Sequence, residues 1–210
     1  MKSYDELVAT LLRFAEQSKR QPLTLGEALD SLDRTAFALI SLILVLPFLQ
    51  PLPLGPITVL GGITFATLGW QMWRGHESPR LPQKVRAISM NEKTWSVLAS
   101  VSVRIVNFCH RFTRERMVHL VDGRKGQKIG AFILMAAGLL MAIPFGVLPL
   151  NNLVPGLAVL FYAFAHMERD GLMIIIAFGW LVVTVVYFSL FFLALYYLGN
   201  EALQYFQFGN

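Results

Sequence analysis

The residues that could do chemistry in this chain are few, and they cluster where apolar runs turn or end. Among the few polar side chains inside the uncharged stretches are Gln50, Thr58, Thr64, Thr67, Gln71, Asn151 and Asn152. Gln50 lies in one proline-rich segment, and Asn151 and Asn152 lie in another. An amide both donates and accepts, so it can take a phosphate oxygen or a sugar hydroxyl, or satisfy loose backbone beside it. Gln50, Gln71, Asn151 and Asn152 are therefore the candidate substrate contacts. Arg34, Arg74, Glu168, Arg169 and Asp170 stand where apolar runs meet charge. They are read as a gate or a proton-coupling group, against the plainer alternative of interfacial anchors that pair with each other.

No enzyme constellation is visible, and the chain is expected not to be an enzyme. His76, His110, His119 and His166 are dispersed and lack metal-ligand spacing with Cys or carboxylates, so neither a metal nor a cofactor is expected. Glu168 and Asp170 stand two apart, a spacing that does not converge on a helix. Gly123-Arg124-Lys125-Gly126-Gln127-Lys128 lacks the spacing of a phosphate-binding loop, and no strand precedes it. No nucleic-acid partner is expected. The basic run holding Arg111, Arg114 and Arg116 is read as contact with an anionic lipid surface.

The elements that must position these groups follow from composition. Of 210 residues, 55% are hydrophobic and 15% charged, and the mean hydropathy is +0.56. Ordinary globular domains carry roughly 25% charged residues. The deficit is segregated: residues 35–73, 129–165 and 171–200 contain no Asp, Glu, Lys or Arg. Continuous apolar runs rather than period-two alternation predict an all-α integral membrane protein, not a barrel.

Four prolines, Pro47, Pro51, Pro53 and Pro56, break the first apolar stretch. A helix cannot continue through them. The spacing predicts an arm from about Ala36 to Leu46, an apolar turn, and a returning arm from about Ile57 to Trp73. Pro144 to Pro155 repeats the pattern, between arms at about Ile129–Ile143 and Gly156–Ala165. Pro47-Phe48 and Pro144-Phe145 set the two copies 97 residues apart. The fold expected is two repeated proline-broken helical hairpins, either re-entrant or fully spanning, plus a C-terminal transmembrane helix at Leu172–Leu198 and amphipathic interfacial helices. The domains are 1–35 interfacial, 36–73 first hairpin, 74–128 basic linker, 129–170 second hairpin, 171–200 transmembrane helix and 201–210 tail.

Flanking helices are expected at 4–19, at Leu25–Leu32 with Thr24 and Glu27 as a capping box, and at Glu92–Met117. Whether the last lies on the membrane or crosses it stays open. A secretory signal peptide is not expected, and the one cysteine, Cys109, excludes an intramolecular disulfide. Of 18 Lys and Arg, five fall in 1–35, twelve in 74–128 and one is Arg169. The positive-inside rule then puts the N-terminus and linker in the cytoplasm and the C-terminus in the periplasm. Glycines along the arms permit close helix approach, within one chain or in a homodimer.

Leu23-Thr24-Leu25-Gly26-Glu27, Leu46-Pro47, Pro51-Leu52-Pro53, Gly61, Gln71 and Leu81-Pro82 resemble the first half of the exopolysaccharide synthesis ExoD family. Asn152-Leu153-Val154-Pro155-Gly156-Leu157-Ala158 through Met167-Glu168-Arg169-Asp170-Gly171 resembles its second half. The resemblance spans about residues 20–200. It implies a multi-pass protein of the bacterial inner membrane associated with exopolysaccharide production, and it carries over no catalytic residue. The central linker departs from the family's expected pattern. Two functions are expected: a transporter or flippase-like protein for an anionic lipid or polyprenyl-phosphate-linked intermediate, or a non-transporting accessory subunit of an exopolysaccharide complex. Membrane lipids are partners under either.

Overall fold

The structure, a computed structural model, describes residues 35–49, 56–80, 114–144, 148 and 150–208, with isolated positions before 35 and between 83 and 104. Among the described residues five continuous helices carry it. Helix α1 (Thr35–Val45) is apolar all round, which suits a core or a bilayer rather than a solvated face. The missing amide hydrogen of Pro47 ends its ladder, and the chain tightens into a 3-10 turn at Leu46–Leu49. Helix α2 (Pro56–Trp73) opens on a proline, which fits the first helical position because that amide has no partner there anyway.

Helix α3 (Gly123–Ala142) begins six residues before the expected Ile129, so the basic Gly123–Lys128 flank is helical. Helix α4 (Leu153–Glu168) likewise starts before Pro155, which is tolerated within the first turn. Helix α5 (Gly171–Phe208) runs on through most of the segment expected to be a tail. One expected helix stops short: Arg114–Met117 is not helical, and Met117 has φ 49°. Arg104 is helical, but the rest of 92–113 lies outside the described residues. So does most of 4–19 and 25–32, where Ala9, Arg13, Glu16 and Glu27 are helical. Thr24 pairs in a two-residue antiparallel ladder, Leu23 with Met90 and Thr24 with Ser89; Leu25 and Gly26, which would show the expected cap, lie outside the described residues.

The arms of the first hairpin hardly touch each other. α2 packs chiefly on α3, and α1 chiefly on α4. The α2–α3 contact is backbone on backbone. A Cβ on Gly62 would come within 2.5 Å of the Ala142 nitrogen, and one on Gly138 within 2.4 Å of the Ala66 nitrogen. Small residues at such positions let helices approach closely enough for dispersion to hold them. Gly62 near the start of α2 thus meets the end of α3, while Val45 at the end of α1 and Leu49 of the 3-10 turn meet Gly156 in the first turn of α4. Both pairs are antiparallel, and the helix ends that flank the two proline segments lie at one end of the bundle. The start of α1, the end of α2, the start of α3 and the end of α4 gather at the opposite, polar end.

The core between them holds Phe37, Leu42, Phe65, Leu134, Ala137, Ala158 and Tyr162, each at most 1% exposed. Phe48 of the 3-10 turn closes the turn end, its ring edge-on to Phe65 at 6.1 Å. Among the described residues two helices, α3 and Gly171–Tyr197 of α5, are long and apolar enough to cross a membrane; Thr35–Leu49 and α4 are apolar but shorter. The outer face of α5 exposes Ile175, Phe178, Val182, Val186, Leu190 and Leu193.

Candidate functional site

At the polar end the four helix ends enclose a chamber of about 150 Å³, walled by Thr35, Met72, Asp122, Gln127, His166 and Arg169 among others. Each helix contributes. Gln127 faces inward because α3 starts early, and its amide nitrogen donates to the His76 carbonyl at 3.2 Å. His166 stands one turn after Tyr162 on α4, with the two rings 4.6 Å apart. Tyr162 is buried and its hydroxyl reaches the Met72 sulfur at 3.0 Å.

The His166 Nδ1 lies 3.3 Å from the Tyr162 carbonyl. A carbonyl only accepts, so this contact places the proton of the neutral ring on Nδ1 and leaves Nε2 as an acceptor. Nε2 is buried against Gly130 and has no partner among the described residues. An unsatisfied buried acceptor costs about 1–3 kcal/mol, so such atoms mark places where function competes with stability. At the rim Arg169 donates to Asp122 through Nε and Nη2, one to each carboxylate oxygen. Asp122 occupies the N-cap position of α3 but spends its carboxylate on Arg169 rather than on the cap.

Beside the chamber, Glu168-Arg169-Asp170-Gly171 forms a joint. Arg169 has φ 53°, the left-handed conformation that terminates α4. Asp170 is fully buried; its Oδ1 accepts from the Leu172 amide at 2.9 Å and so caps α5. Its carboxylate also accepts from Arg116 Nε at 2.9 and 3.1 Å and from the Arg114 amide at 3.1 Å. Gly171 donates its amide to the Arg116 carbonyl at 2.8 Å, and a Cβ there would lie 2.3 Å from the Met117 oxygen. Burial alone would raise the Asp170 carboxyl; the Arg116 guanidinium and the two amides outweigh it and hold it below the usual carboxylate range.

The expected contacts do not form one constellation. Asn151 and Asn152 are buried at the turn end. Gln71 is near the polar end, about 22 Å along α2 from Pro56 at 1.5 Å per residue. It grips the Arg80 backbone from both sides, accepting from its amide at 2.6 Å and donating to its carbonyl at 3.2 Å. Gln50, Arg34 and Arg111 lie outside the described residues. Arg74 rests over the Trp70 ring at 5.2 Å. Glu168 is buried beside the joint. Of the basic run, Arg114 and Arg116 engage Asp170. His166, expected only as one of four dispersed histidines, and Gln127, expected only in a basic flank, both line the chamber. Their signal was the spacing Gln127, Gly130, Leu134 on one helix face and Tyr162, His166 on another.

The profile of the family described as "Exopolysaccharide synthesis, ExoD" matches residues 7–190. The chain belongs to the ExoD family. The ExoD protein of Rhizobium meliloti (strain 1021) is 29% identical to it over 189 residues, covering 89% of this chain and 78% of the relative. No solved structure matches. In this ExoD-family chain, the matched span contains both proline turns, the polar chamber and the joint at Asp170.

Proposed function

We propose that this protein acts in exopolysaccharide production within the bacterial inner membrane, as a transporter or flippase-like protein. In this reading it takes the head of an anionic lipid or polyprenyl-phosphate-linked intermediate into the polar-end chamber. The observation that carries the reading is the chamber itself: four helix ends converge on the Arg169–Asp122 pair and on the acceptors His166 Nε2 and Gln127. A guanidinium suits a phosphate, and neutral acceptors suit sugar hydroxyls. The exchanged pairing, α1 with α4 and α2 with α3, supports the internal repeat, because shifting each arm to its counterpart converts one pair into the other. Broken helices meeting at a pseudo-symmetric centre are a recurrent transporter design. The role is non-enzymatic, the N-terminus cytoplasmic and the C-terminus periplasmic.

A second reading is favoured by the closed interior. Side chains at most 1% exposed fill the space between chamber and turns, which suits an accessory subunit that binds without passing anything through. Purified protein in liposomes decides between them. Transport predicts faster flipping of undecaprenyl phosphate than of phosphatidylcholine, lost in His166→Phe and Gln127→Leu variants that still insert. Binding that depends on the same two residues, with no flipping, establishes the accessory role. Flipping that survives both substitutions removes the chamber from the mechanism.

A further inference from the structure

On the outer surface of the α2–α3 pair runs a shallow apolar groove of about 340 Å³, lined by Ile63, Thr67 and Trp70 from α2 and Met135, Leu139 and Ala142 from α3. Trp70 to Ile63 spans seven residues, so the groove is about 10 Å long along the helix. Its wall is dry. The Thr67 hydroxyl donates to the Ile63 carbonyl at 2.8 Å, and neighbouring Thr64 does the same to Leu60. Back-bonding of this kind satisfies a hydroxyl where no water is at hand.

The groove begins at the polar end, and there its chemistry changes. Arg74 lies over the Trp70 ring at 5.2 Å, and Lys128 lies over the Trp73 ring at 5.4 Å. Both indoles are about half exposed. Among the described residues neither cation is paired with a carboxylate. A cation seated on an indole keeps its outward N–H groups available. Two indoles with two cations, set above an uncharged trough, mark the level of a bilayer interface.

We propose that the groove holds one acyl chain of an anionic phospholipid, whose phosphate is bound by Arg74 and Lys128. Charge selects the occupant: a second copy of this chain seated there would bring the same two cations against themselves. The site is distinct from the chamber, faces the lipid side of α2–α3, and rests only on the membrane-embedded part of the functional reading.

Trp70 and Trp73 report on it directly. In a W95F/W180F background they are quenched by acyl-brominated lipids that sit in the groove. In mixed vesicles, brominated phosphatidylglycerol is expected to quench them with a preference of roughly tenfold in local occupancy over brominated phosphatidylcholine, given two cations at the surface. The preference disappears in Arg74→Gln/Lys128→Gln, whose exposed side chains leave the fold intact. Equal quenching by both lipids overturns the proposal, as does a preference that survives the double substitution. Weak quenching by both, together with disulfide dimers of Leu139→Cys, assigns the groove to a second copy instead. If no brominated lipid quenches at all, the membrane reading itself fails.

Discussion

Arg116 and Asp170, 54 residues apart, are held together by one guanidinium nitrogen that donates to both oxygens of a fully buried carboxylate. The same carboxylate caps α5 and receives the Arg114 amide. Three groups therefore depend on one charge. Asp170→Ala leaves two amides and a guanidinium without their acceptor, and the cap alone is worth about 1 kcal/mol. A lowered melting temperature in detergent is expected, with Asp170→Asn intermediate.

The pH dependence of that joint has a definite sign. The folded Asp170 carboxyl titrates below its ordinary range. Its contribution is thus complete above the unfolded value of about 3.9 and is lost as pH falls through the folded value. Thermal melts between neutral and strongly acidic pH should show an acid limb that is shallower in Asp170→Asn. An unchanged limb would mean the carboxylate's partners are not those seen here.

Arg169 sets two small effects against each other. Its left-handed backbone costs about 1–2 kcal/mol for a non-glycine residue, whereas an exposed ion pair such as that with Asp122 returns about 0.2–1 kcal/mol. Arg169→Gly is therefore expected to match or exceed the parent in stability. Arg169→Ala keeps the strain, loses the pair, and melts lower. The reverse order would show that the rim pair matters more than the turn.

The α2–α3 seam predicts a contrast between glycines. Gly138→Val drives a side chain into the Ala66 backbone, and overpacking of this kind costs about 1–3 kcal/mol or more. Gly179→Ala on α5 meets nothing within 4 Å and should be neutral or slightly stabilising. Chemical denaturation of both variants in one detergent gives the comparison.

Gln71 offers a local test. Gln71→Ala removes both bonds to the Arg80 backbone, so hydrogen exchange at the Arg80 amide should accelerate while the helical core of α2 stays protected.

Much of the architecture was written into the chain in plain chemical terms. Pro47, Pro56 and Pro155 fix where helices stop and start, and the uncharged runs fix which segments are buried or lipid-facing. The partners of those segments were not legible. α1 and α4 are apolar on every side, so no stripe indicates which face meets which neighbour. The chamber was hidden for a related reason. His166 and Gln127 lie on the polar margins of apolar runs, where they read as flanks until the fold brings four such margins together. Asp170 was seen, but its partner Arg116 belongs to a basic run whose charge suggested lipid contact.

The exchanged pairing of arms has a consequence for how the protein is made. The first hairpin has almost no internal interface, and its apolar surfaces wait for residues 123–142 and 153–168. During synthesis its two arms leave the ribosome long before their mates exist. Assembly is thus a late, collective event governed by distant contacts, and such topologies are slow to form. A chain truncated after the linker should be sticky and short-lived rather than a half-sized version of the whole. The two halves, co-expressed as separate fragments, should rescue each other.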